Sequence, residues 1–228
     1  MQRVAVIGPG LDFADKREGY AFYPLQTIQP FAVMDTVLRL GLGEAANLRV
    51  VTLDLNAAVN MHLAKVAENG RKGKPYVVQL PRDTTSDLNA AAIAYWEHFG
   101  ELIGTPTQPL HVPEALRNVA LRAVAIRPAI AADVEPRDLN IVAERIDFPE
   151  KEKFDLVVAT NVLVYYNTFQ QALAMSNVAH MMNRNGFFLA NNPLPTAHDP
   201  RLIYLGRKTV PFASNAEYGD DVVVYRLE

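Results

Sequence analysis

The chain has 228 residues, of which 50% are hydrophobic and 21% are charged, and its net charge is −3. This is the composition of one globular domain, and it excludes a disordered chain. No apolar run reaches the ~18 residues of a membrane-spanning helix, and none forms a secretion signal. Without cysteine there are no disulfides and no thiolate zinc sites, so a cytoplasmic location is expected. The negative charge argues against a nucleic-acid partner.

A glycine turn follows the first predicted strand. Residues 4–7 are apolar, and Gly8, Pro9, Gly10 and Leu11 come directly after them. Glycine tolerates positive φ and has no Cβ, so the backbone can approach a ligand closely here. The third glycine of the dinucleotide fingerprint is missing, which disfavours a nicotinamide enzyme. An ordinary β-turn is the alternative.

Residues 12–23 are predicted to form a polar loop at the mouth of the site. In a standard unit the second strand ends ~20 residues after the glycines, whereas here Asp54 comes much later. The loop therefore reads as an insertion, either a lid or substrate clamp or a solvated surface loop. Tyr20 and Tyr23 beside charged residues favour the lid.

The second strand, residues 48–54, follows an amphipathic helix predicted over residues 27–42 and ends in Asp54, Leu55 and Asn56. A carboxylate at this place can accept both hydroxyls of a ribose. The alternative is that Asp54 caps the helix predicted over residues 57–67, a role that Asn56 could fill instead.

An elaboration is predicted over about 76–137. Its strand-like and helix-like segments exceed what a minimal unit needs between its second and third strands, so we expect it to shape a substrate pocket or a partner surface. His98 and His111 have no partner at metal-ligand spacing, so no metal site is predicted.

The remaining elements complete an α/β pattern. Residues 140–147 are predicted as the third strand and residues 154–159 as the fourth, buried on both faces. Thr160, Asn161, Tyr165 and Tyr166 follow the fourth strand, where ligands of open α/β sheets bind. A helix over residues 169–182, a strand over 187–190 and a closing strand pair are predicted after them.

The run Asn-Val-Leu-Val-Tyr-Tyr at residues 161–166 resembles the fourth-strand motif of class I S-adenosylmethionine-dependent methyltransferases, most closely the chemotaxis-receptor type. The glycine turn resembles a shortened first motif of that superfamily, and the closing pair resembles its antiparallel last strand. The resemblance covers most of the chain. It implies one Rossmann-like domain over residues 1–228, with a doubly wound, seven-stranded, mostly parallel sheet and an antiparallel last strand.

The resemblance also implies S-adenosylmethionine as the cofactor. In such enzymes residues ending the third strand lie beside the adenine, where Arg145 and Ile146 fit the chemotaxis type and Asp147 fits the general one. The full set of implied cofactor residues is Gly8, Pro9, Gly10, Leu11, Asp54, Leu55, Asn56, Arg145, Ile146, Thr160, Asn161 and Val162. The candidates for the acceptor side are Tyr20, Tyr23, Tyr165 and Tyr166.

Methyl transfer to a small molecule or a protein side chain is the expected activity. A degenerate fold that acts as a binding module and an NAD-dependent oxidoreductase are the alternatives. The helix that precedes the first strand in the superfamily has no counterpart before Val4. Either the protein is minimal or the chain is a fragment whose N-terminal part completes the lid. The acceptor atom and the oligomeric state are left open by these patterns.

Overall fold

The computed structural model describes residues 1–14, 21–112, 114, 117–194, 199–215 and 217–228. Two short 3₁₀ turns, Glu150–Glu152 and Leu163–Tyr165, flank the strand that begins at Phe154. The other elements in chain order are β1 (Arg3–Ile7), β2 (Asp12–Ala14), β3 (Ala21–Gln26), α1 (Gln29–Arg39), β4 (Arg49–Asp54), α2 (Ala57–Arg71), β5 (Tyr76–Asp83), α3 (Ala90–His98), β6 (Gly104–Thr107), β7 (Val119–Ile126), α4 (Pro128–Ala132), β8 (Val134–Asp138), β9 (Phe154–Ala159), α5 (Thr168–Met181), β10 (Met182–Ala190), β11 (Leu202–Pro211) and β12 (Gly219–Leu227).

The main sheet has seven strands within these ranges, in the order β11-β12-β10-β9-β1-β4-β8. The strands from β10 to β8 are mutually parallel, and β12 runs antiparallel between β10 and β11. The ends of the five parallel strands therefore lie along one side, which we call the carboxyl edge. This arrangement confirms the predicted doubly wound, mostly parallel α/β fold with an antiparallel last strand.

Both faces of the sheet are covered, as the apolar runs predict. In β1, Val4 and Val6 join a hydrophobic cluster with residues of α1 and α2, whereas Ala5 and Ile7 join a second cluster with residues of α5. Successive side chains of a strand point to opposite faces, so a strand covered twice must be apolar throughout. Among the described helices, none is long and apolar enough to cross a bilayer.

A second sheet stands on the face that α1 and α2 cover. In the described chain it has three antiparallel strands, in the order β5-β7-β6, and we call it the accessory sheet. Its residues Val78 and Ile126 share a hydrophobic cluster with Val4 and Val6. The predicted elaboration over 76–137 therefore packs on the main sheet, but its boundary is wrong, because Val134–Asp138 pairs with β4 and belongs to the main sheet.

The predicted third strand over residues 140–147 is also wrong. The Asn140 side chain accepts hydrogen bonds from the Val142 and Ala143 N–H groups, and the Asn140 N–H donates to the Glu144 carboxylate. These local bonds satisfy the backbone in a turn and compete with strand pairing. The third strand is β8, which ends at Asp138.

The segment predicted as a polar loop, residues 12–23, contributes strands. β2 and β3 pair antiparallel, with Asp12 opposite Gln26 and Ala14 opposite Ala21. The proposed substrate residue Tyr20 lies outside the described residues.

The Asp155 carboxylate fastens the start of β1 to β9. It accepts hydrogen bonds from the Gln2 N–H at 2.6 Å, the Arg3 N–H at 3.2 Å and Asn183 Nδ2 at 2.9 Å. Burial raises the pKa of this carboxyl, but the bonds from Gln2, Asn183 and Arg3 outweigh that effect and hold the pKa below its ordinary value. The ionised form is therefore the one that stabilises the fold.

We expect Asp155→Asn to lower the free energy of unfolding by about 1.5–3 kcal/mol at pH 7, because the negative charge is lost and an amide donor replaces one of the two accepting oxygens, facing either the backbone N–H groups or Asn183 Nδ2. A carboxyl whose folded pKa is depressed stabilises above its unfolded pKa of about 4 and stops doing so as pH falls through the folded value. Urea unfolding at pH 7 and pH 3 should show that the variant's deficit in unfolding free energy, relative to the parent, is smaller at pH 3. Asp147→Asn, at a side chain that is 91% exposed, is the control, and an equal deficit at both pH values would contradict the assignment.

Candidate functional site

The carboxyl edge gathers a glycine turn and polar side chains from all five parallel strands. Gly8 follows β1, Asp54 ends β4, Asp138 ends β8, Thr160 follows β9 and Asn191 follows β10. Ligands of doubly wound sheets bind beyond the carboxyl ends of the strands. This edge is therefore the candidate site.

Two carboxylates stand side by side at this edge. Asp54 and Asp138 are register partners on neighbouring parallel strands, which places their backbones ~4.8 Å apart. Asp54 is half-buried and its Oδ1 accepts the Asn56 N–H at 2.8 Å, whereas Asp138 is exposed. The cap of α2 is Asn56, whose side chain accepts the Ala58 N–H at 2.9 Å. Asp54 is thus not needed as the helix cap.

The sequence pattern does not predict Asp138 at this edge, because β8 contains Pro136. Proline cannot donate a hydrogen bond to a sheet and argues against a central strand. β8 is the edge strand of the main sheet, where proline is tolerated because one side of the strand needs no partner. The sequence feature that indicates this strand is the short run of residues 134–138, which ends in an acid.

The two glycines of the turn have different surroundings. Both have positive φ, 63° at Gly8 and 69° at Gly10. A Cβ on Gly8 would collide with the Val162 side chain, whereas a Cβ on Gly10 would meet no described atom within 4 Å. Gly8 is therefore required by packing, and the residues that the structure describes leave the space beside Gly10 open. The Thr27 hydroxyl donates to the Gly10 carbonyl at 2.9 Å and fixes that end of the turn.

The other residues of the predicted glycine motif support the turn. Pro9 is buried, and Leu11 packs against the hydrophobic cluster that contains Val4 and Val6. Leu55, directly after Asp54, is 55% exposed at the carboxyl edge. An exposed leucine beside a carboxylate offers an apolar surface to a ligand that the carboxylate holds.

An interlocked polar group follows β9. Asn161 has φ 56°, a left-handed conformation that asparagine adopts more readily than most residues. The Asn161 N–H donates to Asn191 Oδ1 at 2.9 Å, and Asn191 Nδ2 donates to Asn161 Oδ1 at 2.5 Å. Gln29 Nε2 donates to Thr160 Oγ1 at 2.5 Å. These bonds hold neutral amide and hydroxyl groups at the centre of the edge, next to the glycine turn.

The predicted acceptor-side tyrosines are placed differently from one another. Tyr165 is 77% exposed, and Phe169 beside it is also exposed. Tyr166 packs against the α5 side of the core. The Tyr23 hydroxyl donates to the His111 carbonyl at 2.9 Å. Of the described candidates, Tyr165 therefore has the most exposed side chain.

Arg145 and Ile146 lie away from the carboxyl edge. The Ile146 N–H points at Met181 Sδ, 3.5 Å away, and Met181 is the last residue of α5. The nearby Phe148 ring packs on Phe154, the first residue of β9. Both contacts belong to the amino ends of the strands. The expectation that Arg145 and Ile146 end the third strand is corrected, because that strand ends earlier in the chain.

A hydrogen-bonded pair supports the glycine turn from behind. The Tyr76 hydroxyl accepts the Thr27 N–H at 2.9 Å and lies 3.0 Å from His62 Nε2. Burial raises the pKa of Tyr76, and burial together with Lys65 lowers the pKa of His62. Both side chains are thus neutral at pH 7, so the hydroxyl can donate to the imidazole while it accepts from Thr27.

No protein-family model and no curated protein sequence matches the chain. Among solved structures, it is similar to the N-methyltransferase NodS from Bradyrhizobium japonicum WM9 in complex with S-adenosyl-L-homocysteine, at 11% identity over 99% of this chain and 78% of that chain, with a TM-score of 0.44. A TehB-like SAM-dependent methyltransferase from Corynebacterium glutamicum ATCC 13032 is 9% identical over 100% and 80% of the two chains, with a TM-score of 0.45. At this level the likenesses bear on neither activity nor substrate.

Proposed function

We propose that the protein is an S-adenosylmethionine-dependent methyltransferase that acts on a small molecule or a protein side chain. The observation that carries the proposal is the arrangement of the carboxyl edge. Two adjacent carboxylates, an open glycine and a rigid polar turn follow one another there in the strand order β8-β4-β1-β9. This sequence of groups suits an elongated ligand with an adenosyl end and a polar end.

The carboxylates would hold the adenosyl end. Asp54 would accept the ribose hydroxyls, because an ionised carboxylate can take both in a bidentate fashion. Asp138, at the end of the third strand, would lie beside the adenine, the place that the resemblance implies for Arg145 and Ile146 or for Asp147. The exposed Leu55 would cover one face of the nucleoside.

The polar end would lie between the glycine turn and the residues after β9. Gly10 lets the backbone come close to the ligand, and Thr160 and Asn161 offer hydrogen-bonding groups. When bound, S-adenosylmethionine supplies a methyl group on an electrophilic sulfonium. The chain's task is then to align the acceptor and exclude water, and a base is needed only for an acceptor that must lose a proton.

A second candidate is a degenerate methyltransferase fold that acts as a binding module. It is favoured by the contact between Val162 and the glycine turn, because the chain's own side chain occupies the space above Gly8. Cofactor binding without transfer to any acceptor would support this candidate. An NAD-dependent oxidoreductase has less support, because β12 runs antiparallel between β10 and β11 and the third glycine is missing.

Isothermal titration of the folded protein tests the proposal. We expect heat with S-adenosylmethionine and S-adenosylhomocysteine and none with NAD, since the site has a ribose-binding acid but only a shortened glycine turn. Binding of NAD in preference to S-adenosylhomocysteine would reverse the ranking of the candidates. No binding of any of these ligands would reject an adenosyl site at this edge.

We expect Asp54→Asn to weaken S-adenosylhomocysteine binding about 10- to 150-fold, because a hydrogen bond to a charged group contributes ~1.5–3 kcal/mol. Asp133→Asn is the matched control. Asp133 immediately precedes β8 at the opposite edge and pairs with Arg49 at 3.2 Å, a partly exposed ion pair of little energetic weight. Titration calorimetry measures the affinity of both variants for S-adenosylhomocysteine. Equal affinities of the two variants would show that Asp54 does not contact the ligand.

We expect Gly10→Ala to lower affinity for S-adenosylhomocysteine at least about tenfold, because the added methyl group would enter the space of the ligand. The variant should also lose roughly 1–2 kcal/mol of stability through its positive φ. Gly41→Ala separates the two effects, since Gly41 has φ 64° and equally open space at the end of α1. If both variants bind like the parent, the turn does not contact the ligand.

A further inference from the structure

The last hairpin of the main sheet extends beyond the carboxyl edge. The final pair between β10 and β12 is Ala190 with Val223. The β11–β12 ladder continues for four more pairs, from Lys208 with Val222 to Pro211 with Gly219. At ~3.3 Å per residue the hairpin therefore overhangs the edge by about 13 Å.

The end of this hairpin is seated on the loop that follows β5. The Asn89 N–H donates to the Phe212 carbonyl at 2.9 Å, and Asn89 Nδ2 donates to the Pro211 carbonyl at 2.7 Å. The Ser214 N–H donates to the Asp87 carbonyl at 3.2 Å, and Leu88 forms an antiparallel β-bridge with Ala213. We call these contacts, between residues 87–89 and 211–214, the clasp.

The clasp is held firmly on its accessory-sheet side. Asn89 also caps α3, because its Oδ1 accepts the Ala92 N–H at 2.8 Å. β5 in turn is fixed behind the glycine turn. The buried Gln26 side chain accepts the Gln79 N–H at 2.7 Å and donates to the Gln79 carbonyl at 2.8 Å, as a neighbouring strand would. The clasp therefore links the β12 side of the edge to the β1 side.

The strands between these two supports are β10 and β9. Thr160, Asn161 and Asn191 follow those strands, so the polar turn lies between the supports, and Asn191 directly follows Ala190 at the base of the projecting hairpin. In the proposed function this is the place where the acceptor meets the methyl group. A folded protein that approaches from the β12 side would have to bring a side chain there past the projecting hairpin. A lysine side chain, with bonds of ~1.5 Å, spans roughly 6 Å, about half of the overhang.

We propose that the clasp stays closed during turnover and restricts the methyl acceptor to a small molecule. This inference rests on the proposed function and narrows its acceptor class. A side chain on the surface of a folded protein would need the clasp to open, which breaks the three hydrogen bonds from Asn89 and Ser214 together with the Leu88–Ala213 pairing. We expect a small molecule to reach the polar turn while these contacts persist.

A disulfide across the clasp tests the inference. The chain has no cysteine, so Leu88→Cys/Ala213→Cys can form one defined bond. Facing residues of an antiparallel pair have Cα atoms ~4.5–5.5 Å apart, which suits a disulfide. Five samples are compared: the oxidised double variant, the reduced double variant, the two single variants and the parent. Each is incubated with methyl-labelled S-adenosylmethionine and with a cell extract that has been separated into a small-molecule filtrate and a protein fraction.

We expect label in the filtrate, with rates that differ less than about threefold between the oxidised and reduced double variant, because the bond joins groups that are already paired. Loss of labelling on oxidation that reductant restores would show that the clasp must open, and would overturn the inference. Label confined to the protein fraction would also overturn it. If the parent fails both to bind S-adenosylhomocysteine and to label either fraction, the proposed function itself is rejected, and the inference with it.

Discussion

The structure depends on the placement of β1 between β4 and β9 with both faces buried. Val4 to Ile7 pair with β4 on one side and β9 on the other, and their side chains enter the two hydrophobic clusters in alternation. On a strand in this position, a polar group that lacks an internal partner costs free energy. The chemistry is therefore displaced to the strand ends, and the parallel pairing brings five of these ends to the same edge.

The sequence predicts best what this constraint requires. The continuous apolar run identifies β9 with the bounds that the structure has, and the acid closing β4 is placed at the edge. The sequence predicts poorly what depends on distant partners. The local pattern does not predict β8, because Pro136 is tolerated on an edge strand and the pattern does not reveal which strand lies at the edge. Gln29 has no signal at all, because its contact with Thr160 joins residues that are far apart in the chain.

The two glycines show how one residue type can have two roles at a site. Both adopt positive φ, so both satisfy the same sequence pattern. Because Gly8 has no Cβ, the Val162 side chain can pack against it, and this contact joins the turn after β9 to the turn after β1. A Cβ on Gly10 would have no described atom within 4 Å. A shortened motif is therefore sufficient if one glycine packs the two turns together and the other leaves room for a ligand.

The accessory sheet contacts the elements that surround the candidate site on two sides. Gln26 and Tyr76 connect it to the residues that follow the glycine turn, and the clasp connects it to the far end of the main sheet. An insertion tied at both sides of an edge restrains that edge, because neither support can move without breaking buried or paired hydrogen bonds. Pre-organisation of this kind lowers the entropic cost of orienting an acceptor. In the proposed function, the insertion would therefore help to position the acceptor.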